Sequence, residues 1–331
     1  MVQQYPRIWG VTSMENIFYN PLIPQGQDPF MVFHKNIYYL IQSEANEHKE
    51  SIVLYQSATL TDIGIGPKIT LWTTSEEGPN SADVWAPELH LLNDKWYIYF
   101  AADDGKNENH RMFVLESDFS EPTGPYHEMG QITDSSNKWA IDGTVLVKAN
   151  HLYFIWSGWP SDENVQQDIY IAPMIDPWTL GPSRVIISKP EFVWEIPSSG
   201  PSVNEGPQIL YQNGKTYLIY SANGSWTDDY CLGLLELAGE DPLTPSSWIK
   251  CSSPIFHKDP LTSVYGPGHC SFIKSLNGEE DWIVYHANTM PGSSWSGRSI
   301  RTQRFEWHND GSPNLGSPVP IHIPLTKPAG E

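Results

Sequence analysis

Residues 204–222 read NEGPQILYQNGKTYLIYSA, and the fold is decided by how this stretch is read. A Gly206-Pro207 pair brings the backbone in. A short apolar run over 208–211 leads to Asn213-Gly214, and a second run over 216–221 returns rich in β-branched and aromatic residues. Asn-Gly between two such runs marks a hairpin, because a type I′ turn needs positive φ at both central residues. Glu205 stands where the chain enters the first strand of that hairpin.

The same unit recurs. QDPFMVFHKNIYYLIQS begins at Gln27, WAPELHLLNDKWYIYFAA at Trp85, IDGTVLVKANHLYFIWS at Ile141 and GPGHCSFIKSLNGEEDWIVYHA at Gly266. Aligned on the returning strand, Asp28, Ala86, Asp142 and Gly206 are equivalent, which sets a period of roughly 60 residues. Each copy continues with a third β-rich run, at 52–55, 112–115, 168–172, 232–237 and 300–307. A looser fourth run follows at 69–72, 131–132, 184–188 and 248–251, with no clear counterpart in the last copy. Four strands in each of five units is the arithmetic of an all-β, five-bladed β-propeller, with blades starting near residues 28, 86, 142, 206 and 267. One four-stranded sheet cannot bury both faces alone, so neighbouring blades stack around an axis. A β-sandwich is the competing arrangement, but β-repeats this regular are the mark of propellers. Helix finds little support: no window carries a long i, i+3, i+4 apolar pattern, and 28 prolines would break one.

One propeller takes up nearly all of the 331 residues, so residues 1–331 read as a single domain. Its opening strand lies before Asn20 and a closing tail after Gly311. A net charge of −20 opposes binding to nucleic acid or to an anionic membrane. Three cysteines, Cys231, Cys251 and Cys270, form no disulfide framework and no CxxC zinc pair, and read as buried free thiols. No apolar stretch reaches the roughly 18 residues of a membrane span.

The innermost strands of a propeller line its central channel, and their starts crowd one mouth of it. At those starts this chain places Asp28, Trp85, Asp142, Glu205 and His269. A single Asp before Pro or Gly reads most simply as a turn cap. Three carboxylates at repeat-equivalent places are another matter, because convergence costs stability and drives their pKa values apart. Paired carboxylates around a pocket point to glycoside hydrolysis: one protonates the leaving oxygen, and the other activates or replaces the attacking water.

These motifs resemble family 43 of the glycoside hydrolases, the arabinofuranosidase, xylosidase and arabinanase family. The resemblance runs from Asn20-Pro21 to about Gly316. It rests on Asp28-Pro29-Phe30, Trp85-Ala86-Pro87-Glu88, Ile141-Asp142-Gly143-Thr144, Asn204-Glu205-Gly206-Pro207 and Gly266-Pro267-Gly268-His269, in this order and at these intervals. It implies a five-bladed propeller and an inverting mechanism, with Asp28 as general base, Glu205 as general acid and Asp142 as the carboxylate that raises and orients the acid. It further implies that Trp85, His269 and Arg301 bind substrate. In some members the histidine at the His269 position holds a calcium ion in the channel, so the resemblance allows a structural Ca²⁺ there with His269 as ligand and requires no other cofactor. Glu88 and His90 read as supports of the Trp85 loop.

Residues 85–102 and 203–222 resemble the α-L-arabinofuranosidases most, which implies a monomeric, exo-acting enzyme that releases arabinose from arabinan, arabinoxylan or their oligosaccharides. A β-xylosidase or an endo-arabinanase is the neighbouring reading, since xylopyranose and arabinofuranose present similarly placed hydroxyls. Residues 223–229 and 290–297 are the loops placed to block one end of the mouth. A non-catalytic carbohydrate-binding propeller would have no need of the three carboxylates, and a metal-dependent hydrolase lacks its HExxH or multi-His cluster. A polymeric substrate favours secretion. MVQQYPRIWG lacks the regions of a signal peptide, which favours the cytoplasm unless a leader has been removed. Asn223-Gly224-Ser225 fits a glycosylation acceptor.

Overall fold

The computed structural model describes residues 16–45 and 49–331; the signal-peptide reading of the first ten residues lies outside them. Within the described residues every extended element is a β-strand, and the only helices are 3-10 turns of three or four residues. The quoted stretch is the expected hairpin. Ser202–Gln212 and Lys215–Ala222 pair antiparallel with Gln212 opposite Lys215, and φ is 49° at Asn213 and 79° at Gly214. The same doubly positive turn appears at Lys35-Asn36, Asn93-Asp94 and Ala149-Asn150.

Three four-stranded antiparallel sheets are separate: Phe30–His34 to Lys68–Thr73, Ala82–Leu92 to Tyr126–Ile132, and Tyr265–Lys274 to Pro313–Asn314. Between the second and third of these, two further antiparallel meanders run from Ala140–Lys148 and from Ser202–Gln212. They merge into one nine-stranded sheet through a short parallel contact, Gln166 with Ser202 and Gln167 with Val203. The fourth strand of the last sheet, invisible in the sequence pattern, is only two residues long and is held through Glu306 and Trp307.

The second strands are buried over most of their length because both of their faces are covered. In Lys215–Ala222, Tyr217 and Ile219 join a cluster with Cys270, Ile283 and Tyr285 of the last sheet, while Leu218, Tyr220 and Ala222 join Ile155, Ile169 and Ile171 of the preceding meander. Lys95–Asp103 behaves alike, alternating between the first sheet and the Ala140–Lys148 meander. Alternation on a pleated strand dictates this division. Each fully buried Leu or Ile contributes about 1.5–3 kcal/mol. A further cluster joins Met31, Tyr38 and Leu40 of the first sheet to Ile273, Trp282 and Val284 of the last. Ile17–Phe18, within the expected opening strand, pairs with Leu325–Thr326 of the closing tail, and Asn20 exchanges two 2.9 Å hydrogen bonds with the Thr302 backbone. All three cysteines are free; Cys231 and Cys270 are buried, as expected, and Cys251 is half-buried.

The leading strands differ from expectation at their starts. All but the first begin a few residues early, at Ala82, Ala140, Ser202 and Tyr265. The cause is a bulge: pairing resumes on both sides of an irregularity between Trp85 and Glu88, Ile141 and Thr144, Glu205 and Gln208, and Gly268 and Cys270. The residues inside these bulges, together with Asp28 ahead of the first strand, share one backbone shape. Asp28, Ala86, Asp142, Gly206 and His269 have φ of 49°, 42°, 55°, 54° and 43°. Bulges of this kind bend a strand and re-aim its side chains.

Candidate active site

The re-aimed side chains meet at a pocket of about 570 Å³ whose wall includes Asp28, Trp85, Asp142, Glu205 and His269. None of the three carboxylates caps its own turn. Asp142 Oδ2 accepts the backbone N–H of Gly206 at 2.9 Å, across to the neighbouring leading strand. Glu205 Oε1 accepts the Tyr230 hydroxyl at 2.8 Å. Asp28 Oδ1 lies 3.4 Å from His269 Nδ1, 3.3 Å from His286 Nδ1 and 3.5 Å from Arg298 Nη1, all contributed by the last sheet and its loops. Such long-range bonding is inconsistent with turn-capping as their purpose. Space is tight at Gly206, where a Cβ would come within 3.2 Å of both His269 Nδ1 and Ser221 Oγ.

Their electrostatics divide them. Burial works to raise Asp28, but His269 and Arg298 overcome it and hold its carboxyl well below the usual range. Asp142 and Glu205 are 4% and 6% exposed. Burial pushes Asp142 up to about 8, with the charges of Glu205 and Asp28 adding to it against His269. Burial pushes Glu205 up to about 7, aided by Asp28 and opposed by the Tyr230 hydroxyl and Arg298. Asp142 and Glu205 titrate as a coupled pair, in which the first charge to form holds the proton on its neighbour. The pocket therefore pairs a carboxylate that stays ionised with a carboxyl pair that retains a proton near neutrality.

Indole rings complete the wall. Trp85 stacks on His110 with centroids 4.0 Å apart, and Trp139, also on the wall, stacks on Trp159 at 4.7 Å. Trp226 and Trp295 come from the two loops expected at the mouth. Those loops are latched together: the Asp228 carboxylate accepts the Gly292 N–H at 2.9 and 3.0 Å, and Trp295 Nε1 donates to Ser225 Oγ at 3.1 Å. Trp226 and Trp295 meet edge to face, 6.5 Å apart.

Arg301, expected to reach the substrate, lies elsewhere. It is fully buried, donates to Ser299 Oγ, Ala287 O and Thr289 Oγ1, and is not part of the pocket wall. Arg298 takes the pocket position instead. It precedes the strand Ser299–Trp307 and escapes that strand's inward alternation. Glu88 and His90 do more than support a loop. Glu88, 2% exposed, accepts from Gln208 Nε2 and lies 2.8 Å from His90 Nε2, which ties two leading strands together. Asn223 is buried, its amide spent on Trp194 O, Gly224 N and Thr227 Oγ1, so the glycosylation reading fails. No group of three or more His, Cys, Asp or Glu among the described residues is placed to hold a metal ion. The donor set beside His269 thus does not fit a protein-built calcium site. Tyr230, His286, Trp139 and Arg298 were missed in the sequence, since each sits in a run that reads as ordinary core or loop.

Repeated four-stranded sheets that gather buried carboxylates at one tryptophan-walled pocket define a class of all-β protein with acid–base groups at the mouth of its inner strands. Comparison with known proteins makes this specific. The pattern of glycosyl hydrolases family 43 matches residues 18–313, and the chain belongs to that family. It is 37% identical over 311 residues to an extracellular exo-α-(1→5)-L-arabinofuranosidase of Streptomyces avermitilis, a match covering 91% of this chain. It is 35% identical over 312 residues to α-L-arabinofuranosidase 43 of Humicola insolens, covering 92% of this chain. The chain spans 64% of the length of each of these two relatives. Among solved structures, an α-L-arabinofuranosidase from Lactobacillus brevis superposes with a TM-score of 0.85 at 34% identity, covering 92% of this chain and 98% of that one.

Proposed function

We propose that the protein is an inverting, exo-acting α-L-arabinofuranosidase built on a five-bladed propeller. The observation that carries the reading is the gathering of three carboxyls on one pocket wall, Asp28 beside His269 and Arg298, and Asp142 and Glu205 buried. Asp28 removes a proton from water as the water oxygen attacks the anomeric carbon. Glu205 donates its proton to the glycosidic oxygen as that bond breaks. Asp142 holds the proton on Glu205 until then. Direct displacement needs room for water between base and sugar, with the two carboxyls roughly 6.5–9.5 Å apart. A calcium ion on His269 would draw its other ligands from solvent, and no step here uses one.

The propeller reading is supported by the leading strands, each of which lies beside the next, with Tyr265–Lys274 beside Phe30–His34. The exo reading is supported by the two latched loops at the mouth. Secretion fits a polymeric substrate and accords with the extracellular relatives. The deciding experiment measures hydrolysis of p-nitrophenyl α-L-arabinofuranoside and β-D-xyloside side by side, with NMR of the first-formed sugar. Arabinose released first with inverted configuration supports the reading. Preference for the xyloside moves it to a xylosidase, and activity on neither overturns it.

A further inference from the structure

We propose that Tyr230 and His286 are positioning residues that form one stacked bridge and fix the acid relative to the base. The proposal rests on the roles given above to Glu205 and Asp28. Tyr230 precedes the strand Cys231–Leu237, and His286 lies on Asp281–Asn288 of the next sheet. Their rings lie within 10° of parallel with centroids 5.6 Å apart. Each end of the stack holds one carboxyl-bearing residue. The Tyr230 hydroxyl donates to Glu205 Oε1 at 2.8 Å, and His286 Nδ1 accepts the backbone N–H of Asp28 at 3.2 Å. That second bond holds the N–H side of the Gln27–Asp28 peptide, whose carbonyl accepts Gln42 Nε2 at 2.8 Å, and so helps fix the left-handed φ of 49° at Asp28.

Both rings are 1% exposed and neither forms part of the pocket wall, so they act from behind it. The space for the stack is built in. Gly268 pairs with His286, and a Cβ there would stand 2.3 Å from Tyr230 Cε1. Burial raises the Tyr230 phenol well above its ordinary pKa, so it remains a donor. Burial lowers His286 to about 4, so its ring is neutral and accepts at Nδ1. The titratable and charged groups facing the bridge are Asp28, Arg298 and His269 at His286, and Asp28, Asp142 and Arg298 at Glu205.

The test reads Glu205 without relying on turnover, by carbon-13 NMR titration of its carboxyl in variants whose folding is checked by thermal melting. Tyr230→Phe keeps the stack and removes the hydroxyl that favours the ionised acid. The Glu205 titration is expected to rise by about one pH unit. His286→Ala touches no atom of Glu205, yet it removes the platform under Tyr230 and is expected to move Glu205 the same way. His286→Phe keeps a platform and is expected to leave that titration in place. Kinetically, His286→Phe is expected to lower kcat about tenfold or more, since the base loses its anchor, with KM nearly unchanged. His286→Asn returns an acceptor near Nδ1 and is expected to recover part of kcat. A Glu205 titration unmoved in Tyr230→Phe or in His286→Ala overturns the bridge. So do equal kcat losses in the Phe and Asn variants. Near-normal turnover in Glu205→Ala or Asp28→Asn instead overturns the catalytic roles, and the NMR titrations still read the bridge.

Discussion

Asp28 sits among two imidazoles and a guanidinium, whereas Glu205 is raised by its burial against the pull of the Tyr230 hydroxyl, so like side chains have opposite proton affinities. Asp28→Asn keeps a residue that tolerates left-handed φ but cannot accept a proton from water. Turnover is expected to fall about 10²–10⁴-fold with little change in substrate affinity, checked by steady-state kinetics and calorimetric binding. Asp142→Asn removes the partner with which Glu205 shares a proton, and on the role proposed for Asp142 the pKa of Glu205 is expected to fall. The alkaline limb of kcat/KM should move to lower pH, more damagingly for natural glycosides than for aryl glycosides with good leaving groups. An unmoved limb, with all substrates slowed alike, would mean that Asp142 only braces the bulge. The three carboxylates were legible because the repeat aligns Asp28 with Asp142 and sets Glu205 one residue before the equivalent Gly206. Arg298 was not, because the choice between positions 298 and 301 turns on where strand alternation begins, and the repeat does not fix that.

At the scale of elements, the hairpin at Asn213-Gly214 was legible to the residue, because its two-residue turn demands positive φ. The strand starts were not, because each bulge interrupts the alternation and pairing resumes on its far side, where the sequence pattern had already ended the strand. Tyr230 and His286 escaped notice for a related reason: both lie in or beside runs that any buried strand would show. Gly268 was the available signal, a glycine inside a leading strand where close approach is the usual cause. Gly268→Ala drives a methyl group into the Tyr230 ring and is expected to cost about 1–3 kcal/mol in urea denaturation. The loops 223–229 and 290–297 were found as mouth loops, but their latch was not. Asp228→Ala frees them from each other. It is expected to raise KM several-fold on arabino-oligosaccharides while leaving methyl α-L-arabinofuranoside nearly unaffected, as remote binding interactions require. Equal effects on both substrates would show that the latch serves only the fold.

Over the whole molecule, the buried carboxyl pair sets a pH dependence of stability. Asp142 at about 8 and Glu205 at about 7 lie above their unfolded values, so the folded state holds protons that the unfolded state releases. Their contribution is greatest at low pH and is lost as pH rises through the folded values. Between pH 4 and 6.5 the buried His110 and His286, both lowered to about 4, act in the opposite sense. The clean window is therefore pH 6.5 to 8, where melting temperature should fall as pH rises and Asp142→Asn should flatten the slope. A wild-type profile that is flat there would contradict the shared proton. The five left-handed positions carry a further consequence. They hold one backbone shape while presenting Asp, Ala, Asp, Gly and His. In terms of descent, duplicating a sheet copies the mounting without its tool, and a single codon change can then fit a base, a spacer or an imidazole. Chemistry on such a scaffold can be replaced one sheet at a time while the frame that carries it stays the same.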